Sequence, residues 1–138
     1  MWKEGFRVQD CVITHDGKRL IVADTEGKIH VYNFHTHLEE YCLSLKGTAT
    51  SVAVSRDSRN MLVNLAGGQI QLIDIETTDV IRSFTGQKQG TYIIRSIFGG
   101  AAETLVFSGS EGEIRRFLTY FALLLTYWHK ILLCIYGI

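Results

Sequence analysis

The sequence predicts an all-β fold assembled from repeated four-stranded sheets, and two observations predict it. The segment Cys11–Phe34 lies over Val52–Ile75 at a constant offset of 41 residues, with no gap. Asp16/Asp57, Val22/Val63, Gly27/Gly68 and Ile29/Ile70 are identical in that overlay, and Thr14/Ser55, Leu20/Met61, Val31/Leu72 and Asn33/Asp74 are close substitutions. The second observation is the grammar inside each copy, short apolar runs separated by Asp- and Gly-containing turns, as strands require. A period of 40–45 residues in β-rich sequence marks a propeller blade. The expected architecture is therefore a partial β-propeller of about three four-stranded blades, the last incomplete, followed by an apolar, helical C-terminal tail. Blades are expected at about 8–47, 48–87 and 88–117, within a propeller region 1–117, with the tail at 118–138.

Each element has a local reason. In blade 1, strands are expected at Asp10–Thr14, Arg19–Asp24, Lys28–Phe34 and Tyr41–Leu45. His15-Asp16-Gly17-Lys18 supplies a turn, because Asp bonds nearby backbone and Gly tolerates positive φ; Glu26-Gly27 supplies the next. Along Lys28–Phe34, His30, Tyr32 and Phe34 alternate with Ile29, Val31 and Asn33, so both faces carry apolar groups, as in a strand sandwiched between neighbouring sheets. Blade 2 repeats the plan at Thr50–Ser55, Asn60–Leu65, Gln69–Ile75 and Val80–Phe84, with turns at Arg56-Asp57-Ser58-Arg59 and Ala66-Gly67-Gly68 and a polar connector, Glu76–Asp79. Blade 3 begins as Thr91–Phe98, turns at Gly99-Gly100-Ala101-Ala102, continues as Thr104–Ser108, turns at Ser108-Gly109-Ser110-Glu111-Gly112 and starts a third strand at Glu113–Phe117. No fourth strand is recognisable.

Composition bounds the function. The chain has 138 residues, 46% hydrophobic and 20% charged, enough for one globular core. Lys+Arg and Asp+Glu are both 14, so the net charge is zero and no basic excess points to nucleic acid. Cys11, Cys42 and Cys134 form no C-x-x-C, and Met1–Gly5 has neither a basic nor an apolar leader region. The expected location is cytoplasmic or nuclear. From Leu118 to Ile138, 16 of 21 residues are apolar and Lys130 is the only charge. That length suits a spanning helix flanked by Arg115-Arg116, which would make the chain a small membrane-anchored protein. Against it, His129-Lys130 interrupts the segment and leaves only the 11 residues Leu118–Trp128 before it. The favoured reading is that this terminus is not part of the propeller and that the chain is a truncated form. Closed propellers use about four to eight blades, so about two and three-quarter blades leave bare faces and strand edges that favour aggregation.

No catalytic, cofactor or metal residue is expected. His35-Thr36-His37 offers two imidazoles without further ligands at a regular spacing, and reads as a polar loop. His15 and His30 fall in a turn and a strand and show no partner. Gly109-Ser110-Glu111-Gly112 lacks the G-x-S-x-G spacing of a nucleophile elbow. Glu39-Glu40 and Glu76/Asp79 read as solvated loop charge. Phosphate-cradling glycine motifs are absent. The candidate partner-binding residues are basic ones around the third blade, Arg82, Lys88, Arg95, Arg115 and Arg116, a set suited to gripping an acidic segment of another protein.

Three features resemble the WD-repeat β-propeller family: the Ser108-Gly109-Ser110-Glu111-Gly112 segment, the strand ends Val31-Tyr32-Asn33 and Leu72-Ile73-Asp74 where Trp-Asp normally stands, and the blade-opening Gly47 and Gly86. Trp2–Val8, Met61–Leu65 and Gln89–Gly100, the last ending Phe98-Gly99-Gly100, are similar to WD-repeat subunits of CTLH/GID-type ubiquitin ligases, over roughly residues 2–115. The resemblance implies a non-catalytic interaction scaffold whose partners are ligase subunits or substrates, with a RING partner carrying the chemistry. A WD-repeat scaffold of another pathway is the alternative. Departures are visible. Thr48 and Gln87 stand where the family has His, and Tyr32, Ile73 and Phe117 where it has Trp. The family's blade-locking His-Ser-Asp-Trp tetrad is not assembled, so the blades are expected to rely on apolar packing.

Overall fold

The computed structural model of the chain describes residues 5–90 and 93–111 and the backbone of 131–137. Two four-stranded antiparallel sheets follow one another. The first contains β1 (Val8–Ile13), β2 (Arg19–Asp24), β3 (Lys28–Asn33) and β4 (Glu39–Ser44), hydrogen-bonded in that order. The second contains β5 (Ala49–Val54), β6 (Asn60–Leu65), β7 (Gln69–Asp74) and β8 (Val80–Thr85), again in sequence order. A third sheet has β9 (Ser96–Gly99), β10 (Leu105–Glu111) and β11 (Ile131–Gly137) in the order β11-β10-β9.

The repeated turns use repeated bonds. Asp16 Oδ1 accepts from the Thr14 hydroxyl at 2.6 Å and from the Lys18 N–H at 3.0 Å, while Thr14 Oγ1 accepts from the Arg19 N–H at 3.0 Å. In the second blade Asp57 Oδ1 accepts from Ser55 at 2.6 Å and from the Arg59 N–H at 3.1 Å, and Ser55 Oγ accepts from the Asn60 N–H at 3.0 Å. The Thr14/Ser55 and Asp16/Asp57 pairs thus encode one turn twice, a short side chain replacing backbone bonds. The connector leaving each blade crosses the preceding Gly turn closely. A Cβ on Gly27 (φ +86) would stand 2.8 Å from the Gly47 carbonyl oxygen, and one on Gly68 (φ +83) 2.5 Å from that of Gln87.

The first and second sheets bury their middle strands on both faces. Ile21, Ala23, Ile29 and Val31 of the first pack on Val52, Val54, Met61, Val63 and Ile73 of the second, with Val12, Tyr41 and Leu43 at the margin. The opposite face of the second sheet, Leu62, Ile70, Leu72 and Phe84, packs on Val106 and Phe98 of the third. A fully buried aliphatic side chain contributes roughly 1.5–3 kcal/mol, so these two interfaces form the apolar joint between the blades.

The structure corrects the expectations for blade 3. Ser108–Glu111 belongs to the continuous strand β10 and is not a turn. Ser108 and Ser110 alternate inward at 1% and 2% exposure, and Ser110 Oγ accepts from the Lys88 N–H at 2.7 Å. Small residues at those places let the third sheet approach the second. The Glu111 N–H bonds the Lys88 carbonyl as Thr25 bonds Arg7 and Ala66 bonds Thr48, so Glu111 marks the strand end. The described first strand of this blade begins at Ser96, residues 93–95 before it are not in a strand, and Thr91 and Tyr92 of the expected Thr91–Phe98 strand lie outside the described residues. The Ile94 carbonyl is turned sideways to the second blade, accepting from Asn64 Nδ2 at 3.1 Å and Ser51 Oγ at 3.3 Å.

The tail is corrected in part. Residues 131–137 form a strand, not a helix, and pair antiparallel with β10 from Leu105↔Gly137 to Glu111↔Ile131. They take the third-strand place assigned by sequence to Glu113–Phe117. The β10 edge offers unpaired N–H and C=O groups, and Ile131-Leu132-Leu133-Cys134-Ile135-Tyr136 is β-prone sequence that satisfies them. Glu113–Phe117 and the rest of the tail, 118–130, lie outside the described residues. Among the described residues no helix is long and apolar enough to cross a membrane.

Candidate protein-interaction surface

Antiparallel order places the β1–β2 and β3–β4 turns of each blade on one rim and the β2–β3 turns and blade connectors on the other. The first rim is tied across blades by polar bonds. Arg19, at the start of β2, donates from Nε to Glu40 Oε2 at 2.7 Å and from Nη1 and Nη2 to the Glu76 carboxylate at 2.6 and 3.3 Å. The Tyr41 hydroxyl donates to the Ile75 carbonyl, and the Asp16 N–H donates to Ser58 Oγ at 3.0 Å. One turn further on, the Arg56 N–H donates to Glu103 Oε2 at 2.8 Å. Consecutive rim loops are therefore held at fixed positions relative to each other. The Glu76 bond raises the Arg19 pKa above its ordinary value against the lowering effect of partial burial, and Arg19 in turn holds Glu76 below the usual range. Burial pushes the Tyr41 phenol up to about 12.

Asp16, Lys18, Asn33, His35 and Thr36 surround this clamp and line a shallow depression of about 420 Å³. The His35-Thr36-His37 loop is built as sequence suggested: Asn33 Oδ1 accepts from the His35 and Thr36 N–H groups, both at 3.0 Å. Asp74 does the same for Glu76 and Thr77 at 2.8 and 2.9 Å. The acceptor at the third-strand end, where Asp stands in the family pattern, thus shapes the rim loop.

The three basic candidates among the described residues, Arg82, Lys88 and Arg95, do not share one place. Arg82 lies on the outermost strand β8, its guanidinium carbon 5.9 Å from the Phe84 ring centroid. Lys88 is exposed on the second rim, where it lines a shallow surface with Gly67, Gln87, Gly90 and Glu111. Arg95 reaches the inner strand of blade 1, Nη1 to Asp10 Oδ2 3.1 Å and Nη2 to Oδ1 3.4 Å, while Asp10 also accepts from the Val52 N–H at 3.0 Å. Arg115 and Arg116 lie outside the described residues.

Sequence reasoning missed three things. The Arg19–Glu40–Glu76 clamp has no repeat signal, since Asn60 occupies the Arg19 position of blade 2. His30 is not partnerless. It is 8% exposed, with Nδ1 2.8 Å from Glu39 Oε1 and Nε2 3.1 Å from Asp24 Oδ2. Blade 1 therefore has a buried polar network in addition to its apolar packing. Burial pushes the Asp24 carboxyl up, but bonds from the Lys28 N–H, His30 and the Glu26 N–H outweigh it and hold the group below its ordinary value. Finally, three groups capable of holding a metal, on His30, Glu39 and Cys42, lie together.

No family model matches the chain. Among curated proteins it is 38% identical to a WD repeat-containing protein of Dictyostelium discoideum over 76% of this chain and 18% of that protein. It is 32% identical to GID complex subunit 7 of Schizosaccharomyces pombe over 80% of this chain and 23% of that protein. It is 31% identical to a WD repeat-containing protein 26 homolog of Drosophila melanogaster over 80% of this chain and 18% of that protein. The chain thus spans about a fifth of the length of these curated relatives. With its 41-residue repeat folded as consecutive four-stranded blades and with these relatives, the chain belongs to the WD-repeat family.

Proposed function

We propose that the chain serves as a non-catalytic docking platform, the adaptor or substrate-recruiting portion of a ubiquitin-ligase subunit. The observation that carries this reading is the cross-blade fixing of the rim: Arg19 to Glu40 and Glu76, and Asp16 to Ser58, hold loops of successive blades in register. Loops held rigidly on a scaffold are suited to recognition, since little ordering entropy is lost on binding. The similarity to GID complex subunit 7 supports the choice of complex. Arg82, Lys88 and Arg95, with Arg115 and Arg116, are proposed as separate contacts for acidic groups of partner proteins. Arg95 would exchange Asp10 for the partner's carboxylate.

The test is affinity purification of the tagged chain from its native cells, with mass spectrometry of what it retains. Ligase-complex subunits should be enriched, and reversing charge at Arg82 and Lys88 (R82E, K88E) should reduce them several-fold while the chain stays folded. Retention of another pathway's proteins in place of ligase subunits would move the chain to a different WD-repeat scaffold.

A further inference from the structure

On the face of blade 1 turned away from blade 2, His30 and Cys42 stand directly opposite each other in the β3–β4 ladder. An irregularity follows between Val31 and Tyr32, where Tyr41 pairs with Val31 but Glu39 pairs with Tyr32. That bulge re-aims two neighbouring carboxylates. Glu39 comes onto His30 at 2.8 Å from Nδ1, and Glu40 goes to Arg19. One donor atom from each of His30, Glu39 and Cys42 lies within 4.8 Å of the others. Behind the ring, Asp24 is 1% exposed and meets Nε2 at 3.1 Å. The Phe6 ring stacks on the imidazole at 4.0 Å between centroids, 5° from parallel.

A blade can be built without these groups. At the 41-residue offset, blade 2 carries Leu65, Gln71, Val80 and Ser83 in place of Asp24, His30, Glu39 and Cys42. It forms the same four strands, with the same irregularity between Leu72 and Ile73. The donor set is therefore an addition to the repeat.

We propose that His30 Nδ1, the Glu39 carboxylate and Cys42 Sγ bind one Zn²⁺ ion, with Asp24 orienting the imidazole and a fourth position left for water. The donor chemistry selects the ion. Imidazole with a thiolate and a single carboxylate suits Zn²⁺ and is poor for Mg²⁺ or Ca²⁺, which want all-oxygen shells. Asp24 accepting Nε2–H leaves the Nδ1 lone pair for the metal, the carboxylate–histidine–metal arrangement that fixes tautomer and ring direction. Donors of a tetrahedral zinc stand about 3.3–3.7 Å apart. Glu39 must then retreat from Nδ1 by about half an ångström, within the freedom of a carboxylate on an exposed strand end. The Cys42 thiol gives up its proton on binding, so affinity rises with pH.

The test is titration of the untagged, reduced chain with Zn²⁺, and with Co²⁺ as a spectroscopic probe. One equivalent should bind, with a thiolate-to-cobalt charge-transfer band in the near ultraviolet. Cys42→Ser should abolish the band, His30→Gln and Glu39→Val should weaken binding at least tenfold, and Cys11→Ser should leave it unchanged. These three site substitutions install the residues that blade 2 carries at the equivalent positions, and circular dichroism verifies the fold. Asp24→Asn should weaken Zn²⁺ by about 10–100-fold. No stoichiometric binding by the folded chain, a cobalt spectrum without the thiolate band, or equal affinity in the triple variant would each overturn the proposal.

Discussion

Arg19 of the first blade reaches Glu76 of the second across 57 residues of sequence, Nη1 to Oε1 2.6 Å, while its Nε holds Glu40 of its own blade. The guanidinium side chain is 20% exposed, and its planar fork satisfies two carboxylates at once. Removing it should loosen the contact between rims rather than unfold a blade. Arg19→Ala is expected to cost about 1 kcal/mol, at the upper end for surface ion pairs because the arrangement is a network. Glu76→Gln should cost less, the Glu76 side chain being 68% exposed. Urea unfolding of the two single variants and the double variant measures the coupling. A coupling indistinguishable from zero would show the clamp to be energetically idle.

Two glycines set how closely a connector crosses the turn before it. Gly27→Ala and Gly68→Ala combine positive φ with a Cβ 2.8 and 2.5 Å from a carbonyl oxygen, and each should destabilise by about 2 kcal/mol or more. Gly17 also has positive φ (+71) but nothing within 4 Å of its would-be Cβ, so Gly17→Ala should cost about 1 kcal/mol. The order of the three thermal midpoints checks the assignment. Equal losses at all three positions would mean that φ alone, not the crossing connector, limits the turn.

The two core clusters predict where truncation matters. Ile70 is fully buried in the interface that receives Val106 of the third sheet, and Ile70→Ala should cost about 2–5 kcal/mol. Ile97 is 60% exposed, and Ile97→Ala should change stability by about 0.5 kcal/mol or less. Chemical denaturation of both variants makes the comparison.

Acid should weaken the turns. Asp16 is held below its ordinary value of 3.8 by the Thr14 hydroxyl and the Lys18 N–H, and Asp57 by the Ser55 hydroxyl and the Arg59 N–H. A carboxylate whose folded pKa is depressed binds fewer protons in the folded chain than in the unfolded one. Its contribution is therefore complete above the unfolded value and is lost as pH falls through the folded one. The melting temperature should hold between pH 7 and about 5 and fall below about 4. Asp57→Asn should lower stability at pH 7 and flatten the acid limb. An unchanged acid limb in Asp57→Asn together with Asp16→Asn would refute the assignment.

Much of the fold was legible because its causes are local. The turn carboxylates act on hydroxyls and N–H groups two or three residues away, so the Asp16/Asp57 and Thr14/Ser55 pairs announced the hairpins, and β2 and β6 lie where sequence placed them. Blade 3 was less legible. Ser108-Gly109-Ser110 has turn composition, yet its serines face a neighbouring sheet, and that need for small residues is visible only once the sheets are stacked. The candidate surface was read least well. Arg95 looked like a rim cation but bonds Asp10 at a separation of 85 residues, and nothing near either residue in the chain signals the other.

The sequence by itself determined the repeat, the turns and the alternation that buries Ile29 and Ile70 on equivalent strands, because period and turn chemistry act within a few residues. Tertiary structure alone decided that Arg19 ties two blades, that residues 131–137 complete a sheet, and that a one-residue bulge brings Glu39 to His30 and Cys42. The physical reason is that a charge, a sheet edge or a metal donor acquires its role from whatever packs against it. Stacked blades bring together groups tens of residues apart, and no local pattern records which ones.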